Sequence, residues 1–314
     1  MAAWKILLTD GLEENGKKIL SESAEVADRP GIAADELLKI IGEYDALIVR
    51  GRTKVTPAVF EAAPNLKVVG RAGVGVDNID LNAARQQGVK VVNSPFATTV
   101  AVAELAMALL LSLAREIPRG DAGMKNGKWL KKEMEGTELC NKKLGIIGFG
   151  RIGQAVAKRA LAFDMSVIVV CDPYVDCKVV ENAGCQPVSI EELLAGSDII
   201  SLHVPLNGDT RGLIGKDQFA MMKDGVLLVN TSRGGVIDEA VLLEALESGK
   251  VAGAALDVFS TEPPGQSALV SHPRVIGSPH IGAQTVEAQQ RAAHDIATEV
   301  LAALRGDELR WQVA

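Results

Sequence analysis

The chain has 314 residues, 33 Lys+Arg against 40 Asp+Glu and a formal net charge of −7, a mildly acidic sequence of two-domain length. Apolar residues make up 47%, enough for sizeable cores, which excludes a disordered chain. The acidic balance excludes the basic face of a nucleic-acid binder, so no nucleic-acid partner is expected.

In chain order, strands are expected at Lys5–Leu8, Ala46–Val49, Lys67–Val69 and Val89–Val92. Between them lie helical patterns near Glu13–Ser21, Ala34–Ile41, Pro57–Ala62 and Leu81–Gln86. Met1–Asp10 reads as one short apolar strand followed by charges, not as a signal peptide. A long helix is expected from about Val100 to Arg115, with Thr98 or Thr99 as its N-cap. Its apolar run, Leu105–Leu113, is too short for a bilayer, which needs about 20 residues. It reads as a buried helix at a domain or subunit junction, and a homodimer built on it is expected.

A second series follows: strands at Leu144–Ile147, Val167–Val170, Ile199–Leu202, Val226–Val229, Ala252–Leu256 and Val275–Ile276. Helices are expected at Arg151–Phe163, Ser189–Ala195 and Glu239–Glu247, and a final one from about Thr285 to Leu304. Such alternation predicts α/β architecture with two doubly wound parallel sheets. The closing helix can return to the first series. The expected domains are therefore 1–96 with 283–314, discontinuous, and 97–282 between them. The four cysteines, Cys140, Cys171, Cys177 and Cys185, stand singly with no Cys-x-x-Cys pair. Neither a zinc site nor a disulfide framework is expected, and a reducing cytoplasm suits them.

Gly148-Phe149-Gly150-Arg151-Ile152-Gly153 follows a strand and opens a helix, and Asp172 ends the next strand. That context is the dinucleotide fingerprint: glycines for a tight turn and close approach to a pyrophosphate, a helix N-terminus for its charge, an acid for the ribose hydroxyls. Asp172 would repel a 2′-phosphate, and no Lys or Arg follows it until Lys178, so NAD is expected rather than NADP. His280 stands just beyond a strand, between Pro279 and Gly282, as one of only four histidines. An imidazole exchanges protons near neutral pH, which interconversion of an alcohol and a ketone requires. Glu262 is the candidate to hold its other ring nitrogen. Arg233 follows an apolar strand and precedes two glycines, where its fork suits a carboxylate. Arg50 and Arg71 end strands of the first series, and Gly73 and Gly75 beside the second offer an anion nest. Two cations and a nest suit a substrate with more than one negative charge; the bland alternative is two surface arginines after edge strands.

With these stretches, and with Leu47-Ile48-Val49-Arg50, Gly70–Asn78, Asn230–Gly235, Asp257-Val258-Phe259 and Ser278–Ala283, the sequence resembles the D-isomer-specific 2-hydroxyacid dehydrogenases. The motifs run in family order across nearly the whole chain. The resemblance implies a Rossmann NAD domain inserted in a flavodoxin-like substrate domain. It implies that Arg233 binds the carboxylate and carbonyl, His280 acts as acid/base and Glu262 orients His280. It further implies cofactor roles for Arg151 and Ile152 at the phosphates, for Val204 and Pro205 beside the adenosine, and for Thr231, Ser232, Arg233 and Asp257 at the nicotinamide end. Val74, Gly148, Gly150, Gly153, Asp172, His280, Gly282 and Ala283 complete the expected cofactor set. Arg50, Arg71, Gly73, Arg233 and His280 are the expected substrate contacts, with Lys131 reaching a neighbouring subunit's site. His203, His272 and His294 are read as structural.

The departures are Val74 and Val204 where Thr is frequent, and Thr98-Thr99 where Asn–Ser is common. The match is nearest the members that oxidise 3-phospho-D-glycerate to 3-phosphohydroxypyruvate, the first step of serine synthesis. The alternatives are a hydroxypyruvate or glyoxylate reductase, and an NAD-sensing corepressor of the same fold.

Overall fold

The computed structural model describes residues 4–314. Residues 1–3, where the expected first domain and the Met1–Asp10 reading begin, lie outside them. The chain divides into two compact units, one running to Thr98 and including Ala283–Ala314, the other Thr99–Gly282.

The first unit contains β1 (Trp4–Leu8), α1 (Glu14–Ser21), β2 (Ala24–Asp28), α2 (Ala34–Ile40), β3 (Ala46–Val49), α3 (Pro57–Glu61), β4 (Val68–Arg71), α4 (Leu81–Gln86) and β5 (Lys90–Asn93). Its sheet is wholly parallel, in the order β2-β1-β3-β4-β5. Both faces are covered, so its central strands read as continuous apolar runs rather than alternating ones. Ile6, Leu8, Ala46, Ile48 and Val68 enter one core, and Leu7, Leu47, Val49 and Val69 the other. Each such aliphatic side chain contributes about 1.5–3 kcal/mol on burial.

The second unit holds α5 (Thr99–Ala114), α6 (Ile117–Lys125), β6 (Lys143–Ile147), α7 (Arg151–Ala160), β7 (Val167–Cys171), α8 (Cys177–Asn182), β8 (Gln186–Pro187) and α9 (Ile190–Gly196). It continues with β9 (Ile199–Leu202), α10 (Lys216–Met221), β10 (Val226–Asn230), α11 (Glu239–Glu247), β11 (Val251–Leu256) and β12 (Val275–Gly277). Its parallel sheet runs β12-β11-β10-β9-β6-β7-β8. Helix α5 is buried within this unit along Ala103, Ala106, Met107 and Leu110, against Val156, Ala157 and Ala160 of α7. No helix among the described residues is long and apolar enough to cross a membrane.

The last helix, α12 (Val286–Arg305), closes the first unit through Ala292, Ala293, Ile296 and Val300. After it, Val313 donates to the Val91 carbonyl at 2.7 Å, so the final residues cover the β5 edge.

In both sheets the strand order reverses once. The reversal lies between β1 and β3 in the first unit and between β6 and β9 in the second. In open α/β sheets, ligands bind outside the carboxyl ends of the strands at that point.

Candidate active site

In the second unit, Gly148 leaves β6 with φ 90°. A Cβ there would stand 2.6 Å from the His203 carbonyl oxygen, which follows β9 across the reversal. A Cβ on Gly153 would strike the Gly148 carbonyl. Only glycines let these backbones close up and bring the α7 N-terminus to the sheet edge. Gly150, by contrast, faces open space. The Asp172 carboxylate accepts the Phe149 amide at 2.7 Å and the Tyr174 amide at 2.9 Å, which fixes it beside the loop. A cavity of about 350 Å³ adjoins it, lined by Val170, Val175, Pro187 and two carboxylates, Asp172 and Glu192. None of its lining residues is basic, as a 2′-phosphate would demand.

At the ends of β9 and β10, two buried polar atoms lack a hydrogen-bond partner: His203 Nδ1 and Thr231 Oγ1. Burial pulls the His203 pKa down to about 4, so the ring is neutral at physiological pH. These orphaned groups, the open face at Gly150 and the acid at Asp172 together fit a dinucleotide.

Asn230, the last residue of β10, shapes the turn that carries Arg233. Its Oδ1 accepts the Ser232 amide (3.0 Å) and hydroxyl (2.7 Å), and its Nδ2 donates to the Arg233 carbonyl (3.0 Å). Arg233 Nη1 reaches back to the Ser232 carbonyl at 2.7 Å.

Asp257, 1% exposed after β11, organises the histidine loop. Its carboxylate accepts the Ser278 hydroxyl (2.6 Å) and the amides of Ile281 (2.9 Å) and Gly282 (2.8 Å). The His280 amide donates to the Asp257 carbonyl at 2.9 Å, and His280 itself takes a left-handed φ of 51°. Its Nδ1 lies 2.7 Å from Glu262 Oε2, while Glu262 Oε1 accepts the Phe259 amide at 3.1 Å. Burial pushes the Glu262 carboxyl up. The hydrogen bonds from His280 and Phe259, with the charges of His280 and Arg233, outweigh that and hold it below the usual carboxylate range. An ionised carboxylate only accepts, so the Nδ1 proton is assigned toward Glu262 and Nε2 is left as the exchanging nitrogen.

In the first unit, Arg50 follows β3 and Arg71 ends β4. Gly73 has φ 144°, and the Arg71 guanidinium lies where a Cβ on Gly73 would be. Val74 offers its carbonyl to Asn93 Nδ2 at 2.7 Å. Lys131 lies exposed in the stretch after α6. Among the described residues, no group of three or more His, Cys, Asp or Glu is placed to hold a metal ion. Sequence reasoning overlooked Asp10, Asn78 and Gln284, which surround Arg50. Asn78 sat inside a quoted motif without a role, and the other two carried no local signal.

Residues 107–282 match the NAD binding domain of the D-isomer specific 2-hydroxyacid dehydrogenases, more than half of the chain. The chain belongs to the D-isomer specific 2-hydroxyacid dehydrogenase family. The chain is 50% identical over 96% of its length to a D-3-phosphoglycerate dehydrogenase of Methanocaldococcus jannaschii, of which it spans 58%. It is 46% identical to a hydroxypyruvate reductase of Thermotoga maritima, over 96% of this chain and 98% of that one. A solved glyoxylate reductase from Paecilomyes thermophila superposes with a TM-score of 0.92 at 33% identity, covering 100% of this chain and 99% of that one. The second unit thus contains the family's NAD-binding domain.

Proposed function

We propose that this dehydrogenase oxidises 3-phospho-D-glycerate to 3-phosphohydroxypyruvate, the first step of serine synthesis, in the cytoplasm. The observation that carries the substrate is the 50% identity, over nearly all of this chain, to a protein of that name. Arg50 and Arg71, at the carboxyl ends of adjacent strands, agree with a multiply charged anion.

In this reading Arg233 binds the substrate carboxylate and stabilises negative charge on the C2 oxygen. His280 Nε2 takes the hydroxyl proton, and the Glu262 carboxylate stabilises the imidazolium that results. Asp257 holds the loop that presents His280. NAD, when bound, supplies the hydride acceptor for C2. The same reading assigns Thr231 and Ser232 to the nicotinamide side, and Val204 and Pro205 to the adenosine. We also propose a homodimer. Helix α5, on which the sequence places the contact, commits Ala103, Ala106, Met107 and Leu110 to its own unit's core; exposed apolar side chains stand next to it in sequence at Ile117, Met124 and Trp129, on and after α6, and Lys131 follows them.

A second reading, reduction of hydroxypyruvate, is favoured by one observation: the 46% identity to the Thermotoga protein of that name over 304 residues. The deciding experiment is NADH formation from a panel of D-2-hydroxyacids with and without a phosphate, and NADH consumption with hydroxypyruvate. The proposal requires the highest kcat/KM with 3-phosphoglycerate. A preference for an unphosphorylated acid overturns it.

A further inference from the structure

Four residues, Arg50 to Thr53, form the turn after β3 at the strand reversal of the first sheet. Two side chains from distant parts of the chain grip both ends of this turn. The Asp10 carboxylate, 4% exposed just past β1, accepts the amides of Arg50 (2.8 Å) and Thr53 (3.1 Å). It also accepts the Thr53 hydroxyl at 2.5 Å and pairs with Arg52 Nε at 3.3 Å. On the opposite polarity, Asn78 Nδ2 donates to the carbonyls of the same two residues, Arg50 at 3.0 Å and Thr53 at 2.6 Å. One acceptor and one donor thus satisfy the peptide groups at both ends of a turn that has no ladder of its own.

The two arginines of the turn are treated oppositely. Arg52 is consumed locally, with Nη2 on the Thr9 carbonyl at 2.9 Å and both Nη atoms near the Ile32 carbonyl. The Arg50 guanidinium makes one hydrogen bond among the described residues, from Nη2 to Gln284 Oε1 at a long 3.3 Å. A rigid backbone thereby carries a guanidinium with donors to spare. A charged group held by its supporting shell orients an anion far better than one on a loose loop.

We infer that Asp10 and Asn78 are positioning residues for Arg50, setting the affinity for the anionic substrate without touching it. This rests on the reading of Arg50 as a substrate contact. The test is a double-mutant cycle on the intact enzyme, reading kcat, the KM for 3-phosphoglycerate and the KM for NAD. Asn78→Ala is expected to raise the substrate KM about tenfold, with kcat and the NAD KM within about twofold. In an Arg50→Ala background the same change is expected to raise the substrate KM by less than about twofold, because its route of action is already gone.

An unchanged KM for Asn78→Ala, or an equal penalty in both backgrounds, overturns the inference. Asp10→Asn is expected to behave likewise; if it does not fold, Asn78→Ala and Thr53→Val, which removes the hydroxyl from Asp10, still read the cycle. Turnover of hydroxypyruvate without turnover of 3-phosphoglycerate would refute the proposed substrate instead, and the cycle is then read with hydroxypyruvate.

Discussion

Glu262 grips two elements at once: one carboxylate oxygen meets His280 Nδ1 at 2.7 Å and the other takes the Phe259 amide at 3.1 Å. The carboxylate is thus anchored to the backbone before it orients the ring. His280→Ala should lower kcat at least about 100-fold, the usual lower bound for a lost acid/base group. NAD affinity, read by titration of NADH fluorescence, should change little. Glu262→Gln keeps the size but not the charge and should fall between wild type and His280→Ala. A loss under threefold for His280→Ala would remove it from the chemistry. The depressed Glu262 pKa also has a sign: it stabilises the fold above the unfolded carboxyl's range, and that contribution is lost as pH falls through the folded value.

The second prediction concerns cofactor choice and Asp172. Two backbone amides hold its carboxylate beside a cavity that a second acid, Glu192, also lines. NAD should be preferred over NADP, and Asp172→Ala should narrow that preference by at least about tenfold by removing repulsion of a 2′-phosphate. The measurement is kcat/KM for both cofactors in both proteins. Equal efficiency of the wild type with NAD and NADP would refute the assignment.

At Gly73 a single methyl group should act directly on Arg71. Its φ of 144° disfavours a side chain, and the Arg71 guanidinium occupies the space a Cβ needs. Gly73→Ala should therefore displace Arg71 and cost about 1–3 kcal/mol of stability. If Arg71 binds substrate, the KM for 3-phosphoglycerate should rise about tenfold or more, matching Arg71→Ala, and the two changes together should do no more than one. Additive effects of the two changes would separate Gly73 from Arg71.

The central strands were legible because both faces of each sheet are buried, and Ala46–Val49 or Ile199–Leu202 then spell unbroken apolar runs. The glycine loop and Asp172 were legible because their spacing is local. Strand β2 was not: at the sheet edge its sequence Ala-Glu-Val-Ala-Asp is only half buried. Helix α6 was not legible either: it contains Pro118, Gly120 and Gly123, residue types of low helix propensity. Helices α8 and α10, six residues each, are too short to show a period. In the site, the residue types of the His280–Glu262 pair were readable, but Asp10 was not. Its partners are 40 and 43 residues away, and no local pattern marks an acid that binds distant backbone amides.

The remaining prediction concerns acid. His203 has a buried Nδ1 without a partner, a neighbour in Ser201 Oγ at 2.8 Å from Nε2, and a pKa pulled by burial to about 4. The unfolded chain binds this proton at its ordinary value near 6.5. Between those two values the unfolded state holds more protons than the folded one, so stability falls as pH is lowered through that window. A depression of this size corresponds to about 2–3 kcal/mol lost between pH 7 and pH 4.5. For a domain of this size that is a drop of roughly 5–10 °C in Tm beyond what the carboxylates cause. His203→Gln cannot take up the proton. Its Tm should lie below that of wild type at pH 7, where Ser201 and the ring's packing are disturbed, yet fall less steeply on acidification. The check is Tm for both proteins across pH 4.5 to 7. Parallel curves for the two would show that the ring is already solvated, and would take His203 out of the buried wall beside Gly148.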